Sequence, residues 1–177
     1  RSGIENLKLY FMIGLPTETD EDLVAIRDLS IAIKERMMVH GRPRGRIGRI
    51  AASVNPLVPK PGTAYQWLPM ETPASIERSI KRLRSLTAGV DNVYFSLKSE
   101  RHSFYQALLS LGDRRVAPVI VAAERNGGQW RAAAAEAGVD PGFYVYRDRS
   151  ADAVLPWDII DGGLKAAFYR TEFERGL

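Results

Sequence analysis

The sequence predicts an α/β fold: a small parallel sheet interleaved with capped helices, followed by a mostly helical extension. Two observations carry this. Apolar runs at residues 7–13, 50–54 and 92–97 have the length and the aromatic and β-branched content of strands. The longer segments between them carry helix start and stop signals, giving the strand–helix–strand order that parallel pairing requires. Beyond residue 98 the stop signals come closer together and the apolar spacing is helical, so the reading divides the chain into a sheet-bearing part, 1–98, and a helical part, 99–177.

Residues 7–13 form a nearly unbroken apolar run that reads as a strand buried on both faces. Gly14 ends it, and Thr19 with Asp22 three positions on has capping-box register for a helix running to Gly41. Leu23, Ile26, Ile33 and Met37 mark the apolar face of that helix. A basic turn at 41–46 leads to a second strand at 47–54. The proline-broken stretch from Asn55 to Trp67 reads as an extended, shaped loop at that strand's end. Thr72 and Pro73 start a helix with the stripe Ile76, Ile80, Leu83 and Leu86, stopped by Gly89, and a third strand follows at 92–97. Helices are expected at 100–111, 114–126, 129–137 and 161–175, with a short aromatic strand over Phe143–Tyr146.

Composition excludes several chemistries. The 177 residues include no cysteine, so the chain holds no disulfide, catalytic thiol or cysteine-ligated cluster, and two histidines, His40 and His102, leave little for other metals. No metal ligand set is assigned. The absence of a long apolar run or leader reads as a soluble, cytoplasmic chain with no membrane partner. The net charge of +4 suits anionic ligands, but a balance this modest is the ordinary charge of a solvated surface.

In a parallel α/β sheet, ligands sit at the C-terminal ends of the strands. Two loops lie there. Gly14 to Thr19 combines a glycine, a proline and free amides at a helix start, and reads either as a ligand-holding loop or as a well-capped turn. Asn55 to Trp67 offers carbonyl acceptors, the Lys60 cation and the Trp67 ring, or serves as a rigid crossover. Further along, Arg114 and Arg115 follow Asp113 and either bind an anionic substrate or pair at the surface. Trp157 and Asp158 form an aromatic–acid pair that closes a cavity or caps a turn.

The run Leu-Tyr-Phe-Met-Ile-Gly-Leu-Pro-Thr-Glu-Thr-Asp-Glu-Asp resembles the fifth-strand motif of radical S-adenosylmethionine enzymes. The stretch Asn-Pro-Leu-Val-Pro-Lys-Pro-Gly-Thr-Ala-Tyr-Gln-Trp resembles the sixth-strand region of the subgroup with an N-terminal cobalamin-binding domain. Leu111 to Arg115 and Leu155 to Gly163 are similar to words in one uncharacterised branch of that subgroup. The resemblance implies the C-terminal part of a partial (β/α)6 barrel, in which a 4Fe-4S cluster on three cysteines cleaves S-adenosylmethionine to a 5′-deoxyadenosyl radical, with cobalamin as a further cofactor of the parent. This chain lacks those cysteines and begins at what would be the fifth strand, so it reads as an inactive fragment, with no cofactor expected on it alone. By motif match, Ile13 and Gly14 lie against the adenine, Leu15, Pro16, Thr17 and Glu18 line its entrance, and Val54, Asn55 and Pro56 contact it through the backbone. The family pattern has a glycine at the position of Tyr10 and a glutamate at that of Thr17, so the role of the acid at Glu18 departs from it. Lys60, Trp67, Arg114, Arg115 and Asp158 are the candidates for an unknown substrate.

The partner implied is the missing N-terminal half of the same protein, and a cut barrel edge implies self-association of the fragment. The competing reading is a basic RNA- or polyanion-binding module built on Arg42, Arg44, Arg46 and Arg49 with Tyr65 and Trp67; it predicts steep salt dependence. A metal-free hydrolase has little support, because no serine stands in a nucleophile-elbow context.

Overall fold

A computed structural model describes residues 5–177. It is a mixed α/β chain with an open, three-stranded parallel sheet and seven α-helices among the described residues. Two compact units are present: one holds the residues up to Leu57 with Pro73–Glu100, the other Val58–Thr72 with Arg101–Leu177.

In the first unit, β1 (Asn6–Ile13), β2 (Arg49–Pro56) and β3 (Val93–Leu97) lie in the order β1-β2-β3, all parallel. Helix α1 (Asp20–Gly41) and helix α2 (Pro73–Thr87) connect them. Asp22 accepts from the Thr19 main-chain N–H at 2.8 Å and from its hydroxyl at 3.0 Å, so the expected capping register closes the start of α1. Both apolar stripes pack as spaced. Leu23, Ile26, Ile76 and Leu83 are buried with Ile13 and Val54, and Ile33 and Met37 lean on Ile50, Ala52 and Val93.

One expectation fails at β1. Burial alternates along it: Leu7, Leu9, Phe11 and Ile13 turn toward the helices, while Lys8, Tyr10 and Met12 are exposed. The run is apolar on both parities, but helices cover one face only, so period-two burial overrides the reading of a doubly buried strand. The strand β2 also runs further than expected, taking in Asn55 and Pro56. Its even positions face β3, as the bonds from Ile50 N–H to the Asn92 carbonyl and from Lys98 N–H to the Val54 carbonyl indicate. Pro56 therefore points its nitrogen past the last paired residue of β3 and forfeits no bond.

The second unit packs α3 (Glu100–Leu111), α4 (Ala117–Arg125), α5 (Trp130–Glu136) and α6 (Pro141–Val145) around Ala107, Leu108, Val119, Ala133, Tyr144 and Val145. The proline-rich segment belongs here: Met70 joins this core and its N–H donates to the Val145 carbonyl at 2.9 Å. The expected strand over Phe143–Tyr146 is instead the end of α6. Asp140 accepts from Gly142 N–H at 2.9 Å and Pro141 occupies the first turn, a helix start that the aromatic-rich residues after it disguise as strand. The helix expected from 114 begins as a 3₁₀ turn, Arg114–Val116. The last helix, α7 (Ala166–Arg175), starts later than expected because Asp161 accepts from Gly163 N–H at 2.8 Å, and Gly163 adopts a φ of 77°. No described helix is long and apolar enough to cross a membrane.

Candidate functional site

The C-terminal end of the sheet gathers the first group of predicted residues. The register sets Met12 beside Asn55 and Ile13 beside Pro56, and Leu57 N–H donates to the Ile13 carbonyl at 2.7 Å, so the two strand ends form one ledge. The side chains of Ile13 and Val54 do not reach it. Both are 1% exposed and packed under α1 and α2, so only their main-chain atoms are available there. The side chain that β1 presents on the open face at this end is Met12, 53% exposed, which motif reading passed over in favour of its neighbour. The period-two alternation of Lys8, Tyr10 and Met12 would have identified it.

Asn55 lies on that same face. Its Oδ1 is buried and has no hydrogen-bond partner among the described residues. Beyond Ile13, Gly14 takes a φ of 75° and starts the rim loop. Leu15 and Pro16 are half-buried, Thr17 is exposed, and Glu18 folds back over the turn. The Gly14 N–H donates to Glu18 Oε2 at 2.7 Å, and the Ser79 hydroxyl donates to Oε1 at 3.3 Å. Burial raises the Glu18 pKa, opposed by the main-chain N–H groups of Gly14 and Leu15 and by Ser79. The carboxylate therefore ties the loop to itself and to α2, and Glu18 does not present a free acid to solvent. Ser79, which sequence reading did not select, is its second anchor.

The remaining candidates lie in the helical unit. Lys60 Nζ donates to Ser110 Oγ at 2.8 Å, and burial lowers its pKa. Trp67 is 4% exposed and meets Phe173 edge-to-face with centroids 5.5 Å apart, so it packs and offers no stacking surface. Arg115 Nη2 pairs with Asp113 Oδ2 at 2.6 Å, and its main-chain N–H also donates to that carboxylate at 2.9 Å. Surface pairing is thus the arrangement adopted by Arg115, while Arg114 is exposed. Asp158 accepts from Leu155 N–H at 2.7 Å and shapes a turn, and Trp157 Nε1 donates to Gln66 Oε1 at 2.7 Å. The buried Gln66 and Arg149 carry no sequence signal, being single polar residues among ordinary neighbours.

The arginines of the polyanion reading lie in the sheet unit. Arg46 pairs with Glu5 at 2.7 Å, Arg49 sits 4.7 Å from the Tyr94 ring centre, and Arg42 and Arg44 are exposed. Tyr65 and Trp67 belong to the other unit, where the Tyr65 hydroxyl donates to the Gly176 carbonyl. Among the described residues, no three or more His, Asp or Glu groups are placed to hold a metal ion.

Comparison with known proteins adds one relation. No family model matches the chain, and no solved structure matches it. Over 64 residues, 36% of this chain, it is 41% identical to an uncharacterized protein of Methanocaldococcus jannaschii, and the matched stretch spans 12% of that protein's length.

Proposed function

We propose that this chain is the C-terminal part of a radical S-adenosylmethionine enzyme, closing a partial (β/α)6 barrel and supplying one wall of the cofactor pocket and substrate cavity. The observation that carries the reading is the orphan Asn55 Oδ1 beside the exposed Met12, on the uncovered face of a parallel sheet and at the strand ends where ligands bind. A barrel has helices outside and side chains inside, and this sheet has both its helices on one face.

The residues here do not fit the iron–sulfur cluster, since there is no cysteine to ligate it. That ligand set, and any cobalamin domain, belong to the N-terminal half, the partner this reading requires. They do fit the nucleoside end of S-adenosylmethionine, which supplies a sulfonium when bound. Asn55 Oδ1 accepts a hydrogen bond from an amine or hydroxyl of the ligand, the Met12 thioether packs on the adenine face, and main-chain atoms of Ile13, Gly14, Leu15 and Pro56 line the ledge. Thr17 and Glu18 hold the entrance loop.

The test is the longer protein. The coding sequence upstream of Arg1 should carry three cysteines after a strand, and the chain reconstituted with iron and sulfide should show a reduced-cluster signal perturbed by S-adenosylmethionine. Asn55→Leu should weaken that binding about tenfold, the worth of one buried hydrogen bond. An upstream sequence without the cysteines ends the reading.

A further inference from the structure

We infer that the bare face of the sheet is a platform for single-stranded RNA, with Tyr10 and Tyr94 stacking on bases and Lys8, Arg49 and Lys98 meeting phosphates. Register and burial bring these side chains together. Ile50, Ala52 and Val54 of β2 are buried under the helices, so the alternate residues Arg49, Ala51, Ser53 and Asn55 turn to the other face. Parallel pairing sets Lys8 and Tyr94 on either side of Ala51, and Tyr10 and Ser96 on either side of Ser53. The outer strands thus raise two tyrosine rings, 67% and 55% exposed, beside a central strand of small side chains. Two strands apart and two residues out of step, their Cα atoms are about 12 Å from each other, so the rings serve two bases of one strand.

Charge on this face complements the same ligand. Lys8 Nζ lies 4.9 Å from the Tyr10 ring centre and the Arg49 guanidinium 4.7 Å from that of Tyr94, so each ring has a cation beside it. Lys98, the next outward position after Ser96, is exposed, and no acid stands on this face of any of the three strands. The turn leading into β2 adds the exposed Arg42 and Arg44. Rings interleaved with cations on an open sheet stack the bases and neutralise the phosphates of a single strand. A duplex keeps its bases from such rings, and an apolar protein partner would bury the cations without pairing them. Ser53 and Ser96, in the row of Tyr10, bring hydroxyls to the face, and a ribose 2′-hydroxyl is the group that makes RNA the better partner than DNA. The inference goes beyond the cofactor reading and does not need it. In the barrel this face is the inner wall and the RNA its substrate; without the barrel the platform binds alone.

The test uses the whole chain and a fluorescein-labelled oligoadenylate RNA of about ten nucleotides, read by fluorescence anisotropy across a salt series. Comparators are the DNA of the same sequence, the duplex formed with oligouridylate, and inorganic polyphosphate as a competitor without bases. The RNA should bind about tenfold more tightly than each of them. Its log affinity should fall with log salt at a slope of about −2, the value for three neutralised phosphates. Tyr10→Leu and Tyr94→Leu should each weaken binding about tenfold and leave that slope unchanged, whereas Lys8→Gln should make it shallower by about 0.7. These three side chains are exposed, and circular dichroism checks that each variant keeps the fold. No binding, DNA or polyphosphate held as tightly as the RNA, or tyrosine variants that bind like the wild type would overturn the inference. RNA binding by a protein with no upstream cysteines would end the cofactor reading alone; upstream cysteines without RNA binding would end this one alone.

Discussion

Asp113 accepts hydrogen bonds from the Arg115 guanidinium, from the Arg115 main-chain N–H, and from the Tyr144 hydroxyl at 3.2 Å. The Arg115 side chain is the largest of the effects that lower its pKa to about 2. A carboxyl with a depressed folded-state pKa stabilises the fold above its ordinary value, and that contribution fades as pH falls through the folded one. Asp113→Asn should therefore lower the melting temperature at neutral pH, and the gap from wild type should close between about pH 4 and about pH 2. A gap that is constant with pH would mean the carboxylate does not hold the Arg114–Val116 turn. Arg149 makes the converse case, a cation 9% exposed that donates to the Tyr144 and Arg147 carbonyls. It satisfies the Tyr144 carbonyl in the last turn of α6 and the Arg147 carbonyl just beyond it, and burial lowers its pKa. Single residues like these decide whether a cation serves a ligand or the chain itself.

The link between β1 and α1 shows how an element imposes a cost on one of its residues. Thr17 has a φ of 63°, in the left-handed region that a β-branched side chain disfavours, while its exposed hydroxyl donates only to the neighbouring Pro16 carbonyl. Thr17→Gly should raise unfolding stability by about 1 kcal/mol, read from urea titration, with the Gly14–Glu18 bond retained. No gain would mean that the loop relaxes away from this geometry. The helices were legible because caps and stripes are local: Thr19 with Asp22, Pro73, and the spacing of Ile76 to Leu86 lie within one or two turns of each other. The segment 141–145 was not, because four apolar and aromatic residues satisfy either period, and Asp140 and Pro141 decide it only once Tyr144 and Val145 find a core.

For the whole molecule, an unpaired parallel edge and a face bearing Tyr10 (67% exposed), Met12 and Tyr94 (55%) are surfaces that isolated chains seldom leave in water. The chain should self-associate with rising concentration in sedimentation, and Tyr10→Pro should shift it toward monomer. A monomer at every concentration that takes up no hydrophobic dye would count against the barrel reading. Of the candidate site, the sequence located the ledge through Gly14, Asn55 and Pro56, since glycine and proline announce a strand's end wherever the chain goes. It did not reveal which side chains the ledge shows, that Glu18 would occupy the Gly14 amide, or that Trp67 would be buried against Phe173. The starts of α1 and α2 and the exclusion of a cysteine-held cluster follow from residues near one another in the chain or from composition alone. The bare face, the open edge and such pairings as Arg46 with Glu5, Arg82 with Asp20, Glu18 with Ser79 and Tyr65 with Gly176 arise from contacts between residues 41 to 111 positions apart, and no local pattern encodes them.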